Sequence, residues 1–185
     1  MKLIVLTAPS GSGKTTIARR VLAAYPQLSF SVSATTRPPR PGEIDGVDYV
    51  FLPEHAFRSR IKTGAFLEHE EVYPGRFYGT LRAEVERRAS EGGVLLDIDV
   101  KGALNVKRLY DAQALTLFVR PPSLQVLAER LSRRATETPE TLRVRLERAE
   151  LELGYADSFD HIVINDDLDA AVTETLGLVG TFLGG

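Results

Sequence analysis

A glycine-rich loop near the N-terminus carries the residues with the clearest chemistry. The segment 8–15 (APSGSGKT) ends on the Gly-Lys-Thr of the P-loop pattern, and Ala8 stands where that pattern expects its first glycine. Backbone N–H groups of such a loop, together with the positive end of the following helix, can bind a triphosphate. The Lys14 ammonium can neutralise β- and γ-phosphate oxygens, and the Thr15 hydroxyl can bind Mg²⁺. The nucleotide-binding residues predicted in this loop are Pro9, Ser10, Gly11, Ser12, Gly13, Lys14, Thr15 and Thr16.

The surroundings of the loop favour this interpretation over a glycine-serine turn that happens to contain a lysine. The preceding run 2–7 (KLIVLT) is apolar, which predicts a buried parallel strand. Apolar residues at helical spacing then predict a helix at 15–25. A chance turn should rarely lie between a buried strand and an amphipathic helix. Ala8 can replace the glycine only if its φ is negative.

Two aspartates accompany a second apolar strand. The run 94–100 (VLLDIDV) predicts a buried strand, and at period two Asp97 and Asp99 project from one face near its carboxyl end. Ligands bind at that end in open parallel sheets. Because P-loop enzymes use such a carboxylate to hold a hydrated metal ion, we expect Asp97 and Thr15 to hold Mg²⁺ through water. The alternative is a solvated pair of aspartates at the end of a strand.

Alternating strands and helices would position these groups. The predicted strands are 2–7, 94–100, 115–119 and 161–165, and the predicted helices are 15–25, 102–109, 123–133 and 167–182. This alternation predicts an α/β fold around a central parallel sheet.

Two segments interrupt the alternation. The segment of about 33–80 contains five of the ten prolines together with hydroxyl, arginine and tyrosine residues, and we interpret it as an inserted subdomain. The charged segment of about 130–155 is interpreted as a second insertion, with Pro139 in the first turn of a helix. The core then comprises about 1–32, 81–129 and 156–185.

The composition limits the classes of function. The 185 residues are 43% hydrophobic and 26% charged, which suits a single globular domain. A formal net charge of −2 gives no general attraction to nucleic acid or to anionic membranes. The chain has no cysteine, which excludes disulfides, thiolate zinc sites and cysteine nucleophiles. The N-terminal apolar run is too short for a signal peptide or a membrane span, so we expect a cytoplasmic protein.

A proline-rich run carries two arginines that could bind a phosphate. Arg37 and Arg40 lie three residues apart, and Tyr49 follows. Two guanidinium groups and a phenol could hold a monophosphate dianion through directional hydrogen bonds. Taken alone, such a run is also typical of a solvated loop or a polyproline II segment.

Six separated blocks resemble those of the guanylate kinase family and follow the family's order. They are 33–43 (SATTRPPRPGE), 48–49 (DY), 66–68 (FLE), 77–80 (FYGT), 96–99 (LDID) and 163–166 (VIND). The resemblance covers essentially all of 3–182. It implies a three-layer P-loop kinase whose inserted mixed β/α subdomain binds GMP and whose lid is helical. It also implies transfer of the γ-phosphate of ATP to GMP with Mg²⁺ as cofactor and dGMP as a further candidate acceptor. We infer no obligatory protein partner.

The resemblance also implies which residues bind the acceptor. The GMP phosphate would be held by Arg37, Arg40, Tyr49 and Tyr78, and the guanine would face Ser33, Glu68, Thr80 and Asp99. Guanine presents its N1–H and exocyclic amine as adjacent donors, which one fixed carboxylate can accept together. Without the family blocks, Glu68 would be interpreted as a surface residue of the acidic run 68–71.

The same resemblance makes the lid arginines catalytic. With Lys14, the residues that would neutralise charge on the migrating group are Arg130, Arg134 and Arg145. Alternation of Arg and Glu along 139–154 is also typical of an exposed helix face, and we favour that interpretation for Arg143 and Arg148. At the adenine end, the likeness assigns contacts to Asn165 and Asp166, although the run 165–167 is equally suited to cap the next helix.

Two other functions are compatible with parts of this pattern. One is a related P-loop kinase that acts on a phosphorylated sugar, an acceptor that does not need Glu68 together with Ser33 and Thr80. The other is a protein-binding module of the same fold that has lost catalysis. The intact P-loop lysine, the acidic pair and the lid arginines count against the second function.

Overall fold

Five parallel strands form the central sheet. The computed structural model describes residues 1–89, 92–133 and 138–184. In order across the sheet the strands are β2 (Leu28–Phe30), β7 (Gly93–Asp97), β1 (Lys2–Thr7), β8 (Ala114–Arg120) and β9 (His161–Ile164). Since parallel neighbours need crossover connections, helices join these strands along the chain.

Helices cover both faces of this sheet. The α-helices of the described residues are α1 (Lys14–Ala24), α2 (Glu54–Lys62), α3 (Arg82–Ala89), α4 (Val100–Tyr110), α5 (Leu124–Ser132), α6 (Pro139–Leu153) and α7 (Leu168–Gly184), and those packed on the two faces of β1 are α1 and α7 on one side and α3 and α4 on the other. Ile4 and Leu6 of β1 pack in one core with residues of α1 and α7. Leu3 and Val5 point to the opposite face and pack with residues of α3 and α4. The predicted three-layer α/β fold is therefore confirmed. Within the described parts of the chain, no helix combines the length and apolarity needed to cross a membrane.

A second, smaller sheet lies between β2 and α3 in the sequence. Its strands, in order, are β4 (Val50–Phe51), β3 (Ala34–Thr35), β6 (Arg76–Leu81) and β5 (Phe66–Tyr73). The sheet is mixed, because β3 pairs with β4 in parallel and with β6 antiparallel. Phe57 of α2 is fully buried against it, with ring centroids 4.3 Å from Phe66 and 5.7 Å from Phe77.

The predicted strand 94–100 is wrong at its carboxyl end. β7 ends at Asp97, because the Asp99 carboxylate accepts hydrogen bonds from Lys101 N at 3.0 Å and Gly102 N at 3.1 Å and so begins α4. Helix α4 therefore starts at Val100, ahead of the predicted position 102. The other predicted strands and helices of the core agree with the structure to within two residues at each end.

Candidate active site

The P-loop joins β1 to α1 and packs against Asn165. Gly13 immediately precedes α1 with a φ of 91°, which glycine adopts most readily. A Cβ atom at this position would lie 2.2 Å from Asn165 Nδ2. Asn165 is buried, and its Nδ2 donates to Ser12 O at 2.7 Å. Apart from glycines, Asp111 alone among the described residues has a positive φ, so Ala8 meets the condition for replacing the first glycine.

Lys14 lies against the carboxyl end of β7. Its Nζ donates to Ile98 O at 2.9 Å and forms an ion pair with Asp97 Oδ1. Burial disfavours the charged ammonium, but the charge and hydrogen bond of Asp97 outweigh burial and raise the pKa of Lys14. Thr15 Oγ1 donates to Asp97 Oδ2 at 3.4 Å. A cation, a hydroxyl and a carboxylate therefore meet at one end of the P-loop.

Asp97 and Asp99 have different partners, contrary to the prediction that they share one strand face. That prediction assumed a strand through position 100, whereas β7 ends at Asp97. Asp97 contacts the P-loop, and Asp99 caps α4. Both side chains nevertheless line the same cleft.

Glu68 is a buried carboxylate on β5. It is 4% exposed, and its Oε1 accepts a hydrogen bond from Thr80 Oγ1 of β6 at 2.6 Å. Its Oε2 is also buried and has no hydrogen-bond partner within the described part of the chain. Burial, followed by the negative charge of Asp99, raises the pKa of Glu68 to about 8. An unpaired buried carboxylate oxygen is costly, so this atom is suited to a donor supplied by a ligand.

Gly102 of α4 forms the wall behind the Glu68 carboxylate. A Cβ atom at Gly102 would lie 2.4 Å from Glu68 Oε2 and 3.3 Å from Asp99 Oδ2. The helix therefore offers only backbone at this point, and Glu68 occupies the space that a side chain would take. No local sequence pattern marks Gly102 beyond its place in a predicted helix, because its partner Glu68 is distant in the sequence.

Arg37 is held from two sides. Its Nη1 and Nη2 each donate to a different carboxylate oxygen of Glu43, at 2.6 Å, and these hydrogen bonds lower the pKa of Glu43 to about 2. The guanidinium carbon lies 4.8 Å from the ring centroid of Tyr49 and 5.6 Å from that of Phe51. Glu43 also accepts from Arg40 N at 2.7 Å. One carboxylate thus orients the Arg37 guanidinium and holds the backbone at Arg40.

The predicted lid arginines lie on more than one element. Arg145 is on α6, and its Nη1 donates to Ser10 Oγ of the P-loop at 3.4 Å. Arg130 is on α5, where its Nη2 donates to Asn165 O at 3.0 Å. Arg134 lies outside the described residues.

One cleft of about 350 Å³ brings together most of the predicted site residues. It lies between the P-loop, the small mixed sheet, the end of β7 and α6. Thr80 lies behind Glu68, and Arg130, Asn165 and Asp166 lie outside the lining. The predicted residues that line the cleft are Pro9, Ser10, Gly11, Ser12, Gly13, Lys14, Thr15, Thr16, Ser33, Arg37, Arg40, Tyr49, Glu68, Tyr78, Asp97, Asp99 and Arg145.

The run 165–167 caps the last helix. Asp167 Oδ1 accepts a hydrogen bond from Ala170 N at 2.8 Å in the first turn of α7. Asn165 supports the P-loop, and Asp166 is exposed. The adenine contacts of Asn165 and Asp166 stay a prediction.

Arg148 also lines the cleft, and the prediction that it belongs to an exposed face is wrong. Its side chain is 26% exposed and its Nε donates to Glu152 Oε1 at 2.7 Å, whereas the Arg143 side chain is 70% exposed, as predicted. The Arg-Glu alternation gives both arginines the same local signal, and only the position of α6 against β5 separates them. The lining residues that the sequence analysis did not select are Ala8, Val72, Tyr73, Gly79, Ile98, Arg148 and Glu152.

Comparisons with known proteins agree with the resemblance of the six blocks. A family model described as guanylate kinase matches residues 1–179. The chain is 62% identical over 181 residues to a guanylate kinase of Salinibacter ruber (strain DSM 13855 / M31), covering 98% of this chain and 96% of that protein. It is 51% identical over 183 residues to a guanylate kinase of Chlorobium luteolum (strain DSM 273 / BCRC 81028 / 2530), covering 98% and 92%. A crystal structure of guanylate kinase from Anaplasma phagocytophilum superposes with a TM-score of 0.80 at 29% identity, covering 100% of this chain and 87% of that chain. With the family model, close relatives and fold in agreement, the chain belongs to the guanylate kinase family.

Proposed function

We propose that this protein transfers the γ-phosphate of ATP to GMP and releases ADP and GDP. The observation that carries the proposal is the buried Glu68 carboxylate, whose Oε2 lacks a partner among the described residues and which shares a cleft with the P-loop. A P-loop alone is compatible with several kinds of phosphate chemistry. The acceptor is specified by the groups across the cleft from it.

Guanine complements the groups around Glu68. Its N1–H and exocyclic amine are adjacent donors that can satisfy the carboxylate, and the Ser33 hydroxyl, which lines the cleft, can donate to O6. Adenine has the reverse polarity at these positions and would leave the buried carboxylate unpaired. Hydrogen-bond recognition of this kind can discriminate by about 10⁴-fold or more.

The GMP phosphate would be bound by Arg37, Arg40, Tyr49 and Tyr78. Within the described residues, Glu43 and the Pro38 carbonyl accept hydrogen bonds from Nη1 and Nη2 of Arg37. The N–H of Nε and the second N–H of Nη2 would then donate to the phosphate of GMP. Because Glu43 and the Tyr49 ring order the guanidinium before binding, less side-chain entropy is lost when the phosphate arrives.

Transfer requires alignment and neutralisation of charge more than it requires a base. A GMP phosphate oxygen is already an anionic nucleophile; its bond to the γ-phosphorus forms while the bond from that phosphorus to the ADP oxygen breaks. We assign charge neutralisation to Lys14 and to the arginines Arg130, Arg134 and Arg145. The contact of Arg145 with Ser10 supports this assignment, because it brings α6 to the phosphate loop.

The oxygens of Thr15 and Asp97 fit a magnesium ion held partly through water. They are hard donors beside the P-loop, and the described residues contain no cluster of three or more His, Cys, Asp or Glu side chains that would form an all-protein cage. Mg²⁺ commonly keeps several waters and is bound by one or two protein groups together with substrate phosphates. When bound, it neutralises β- and γ-phosphate oxygens.

The remaining parts of the proposal follow from membership of the family. Adenine would lie near Asn165 and Asp166, with dGMP as a further candidate acceptor. We divide the chain into a core of about 1–32, 81–129 and 156–185, a GMP-binding subdomain of about 33–80 and a lid of about 130–155. We also propose a cytoplasmic enzyme whose partners are the small molecules ATP and GMP.

A coupled ADP-release assay tests this proposal. ATP and Mg²⁺ are supplied with GMP, AMP, CMP or UMP in turn, and Lys14→Ala serves as the blank. We expect rapid turnover with GMP alone. No ADP release with any of the four acceptors would overturn the proposal and would favour a phosphorylated sugar as acceptor or a binding role.

A further inference from the structure

Helix α6 carries two Arg–Glu pairs of equal spacing in different surroundings. Arg143 and Glu147 have side chains that are 70% and 61% exposed. Arg148 and Glu152 have side chains that are 26% and 13% exposed, and both line the cleft. Exposed pairs of this kind contribute little to stability, so the first pair needs no further role. The second pair lies where the lid meets the rest of the protein.

Arg148 reaches across the cleft to the small mixed sheet. Its Nη1 donates to Val72 O, and its guanidinium carbon lies 5.4 Å from the ring centroid of Tyr73. Val72 and Tyr73 are the last two residues of β5. Glu152 orients the guanidinium by accepting from its Nε at 2.7 Å. We name this set, Arg148 with Val72, Tyr73 and Glu152, the α6–β5 contact.

The same helix touches the other side of the cleft through Arg145. Arg145 and Arg148 are three residues apart, so their side chains lie on one side of α6. Arg145 Nη1 donates to Ser10 Oγ of the P-loop. One face of α6 therefore contacts the donor-binding loop and the acceptor-binding sheet at once.

We propose that Arg148 is a positioning residue, which fixes α6 against β5 so that Arg145 is placed over the phosphates when the cleft is closed. This inference rests on the proposed function, because it concerns the geometry in which GMP is phosphorylated. Arg148 acts through Arg145. Its partners are a backbone carbonyl and an aromatic face, which an arginine can contact simultaneously.

The test compares Arg148→Gln with Arg143→Gln, the matched change in the exposed pair of the same helix. We expect kcat/KM for GMP at saturating ATP to fall about tenfold in Arg148→Gln and to change less than about twofold in Arg143→Gln. The dissociation constant for ATP without GMP should change less than about twofold in both variants, because the P-loop is untouched. Thermal unfolding of each variant establishes that the folded protein is being assayed.

A double-mutant cycle with Tyr73→Leu separates positioning from a general loss of structure. We expect Tyr73→Leu to lower kcat/KM for GMP by about threefold, and Arg148→Gln/Tyr73→Leu to be no worse than Arg148→Gln, because both changes remove one contact. If Arg148→Gln does not fold, the inference is tested by Tyr73→Leu alone, in which kcat/KM for GMP should fall while the affinity for ATP stays unchanged.

Three results would overturn the inference. The first is an equal kcat/KM for GMP in Arg148→Gln and Arg143→Gln. The second is full additivity of the effects of Arg148→Gln and Tyr73→Leu on kcat/KM. The third applies if only Tyr73→Leu can be assayed, and it is a kcat/KM for GMP equal to that of wild type. In each case wild-type turnover with GMP would still support the proposed function. Absence of that turnover in wild type would overturn the proposed function, and the inference with it.

Discussion

The Glu68 carboxylate has one oxygen bonded to Thr80, while the other, Oε2, has no partner among the described residues. A buried oxygen in this state lowers stability and favours a ligand that supplies donors. The sequence identified Glu68 only through the family blocks, because the acidic run 68–71 is by itself typical of a solvated surface. Its burial depends on the pairing of β5 with β6 and on the absence of a side chain at Gly102. Gly102 lies far from both strands in the sequence.

We expect GMP to bind more tightly as the pH rises from about 6 to about 8, by up to about tenfold per pH unit. The pKa of Glu68 is about 8, so the unliganded protein holds a proton there at lower pH. The negative charges that disfavour its ionisation are Asp99 and Glu70. Guanine donors require the carboxylate, so binding should release that proton. Calorimetry in buffers of different ionisation enthalpy measures this release.

Glu68→Gln is the control for this pH dependence. The phosphate of GMP titrates at about pH 6 and contributes to the proton release of both proteins. The difference between wild type and variant therefore isolates Glu68. Identical proton release in the two proteins would contradict the role of Glu68.

We expect Gly102→Ala to lower kcat/KM for GMP by about 10–100-fold, because displacement of a binding group by about 1 Å has effects of that size. The added methyl group would lie 2.4 Å from Glu68 Oε2. Affinity for ATP should be little changed. Gly177→Ala on α7 is the control, since no atom lies within 4 Å of its added Cβ. Unchanged GMP turnover in Gly102→Ala would mean that Glu68 has room to move.

Most strands and helices of the core could be predicted from apolar spacing, but the short strand β2 and the junction between β7 and α4 could not. A period-two pattern continues through Asp99, and only the hydrogen bonds from Lys101 N and Gly102 N show that the aspartate caps a helix. The same holds for Arg148, whose local pattern on α6 matches that of Arg143. In both cases the deciding contact comes from how one element meets the next.

Asp99 should show separable effects on stability and on activity. We expect Asp99→Asn to keep the cap and to change the free energy of unfolding by less than about 0.5 kcal/mol, whereas Asp99→Ala should lose about 1 kcal/mol. Both should lower kcat/KM for GMP, because the carboxylate faces the guanine in our proposal. Urea unfolding and steady-state kinetics measure the two effects. An equal loss of stability in the two variants would contradict the prediction that Asn keeps the cap.

Over the protein as a whole, one apolar core on each face of the central sheet holds the P-loop and β7 in place. The small sheet and α6 form the opposite wall of the cleft. Binding energy from both substrates can therefore bring these walls together. The α/β layers could be predicted from the sequence because β1 and β7 contain continuous apolar runs and helical segments follow them. The contacts across the cleft could not be predicted, because they join segments that share no local sequence pattern.

The free energy of unfolding should also depend on the ionisation of Glu68. An unfolded chain releases this proton near the ordinary glutamate value of 4.5, and the folded protein keeps it up to about 8. The folded state binds more protons in that interval, so the Glu68 contribution to stability falls as pH rises from 4.5 to about 8. Relative to wild type, Glu68→Gln should gain up to about 5 kcal/mol of stability across this interval, at about 1.4 kcal/mol per pKa unit. A pH-independent difference between the two unfolding curves would contradict the raised pKa.

The ratio of kcat/KM for GMP to that for AMP, measured in wild type and in Glu68→Gln, tests guanine recognition most directly. We expect a ratio of about 10⁴ or more in wild type, and a fall of about 10²–10³-fold in the variant, caused almost entirely by lost GMP turnover. Thermal unfolding of both proteins controls for stability. Similar turnover of GMP and AMP by wild type, or selectivity that survives in Glu68→Gln, would contradict recognition of guanine by this buried carboxylate.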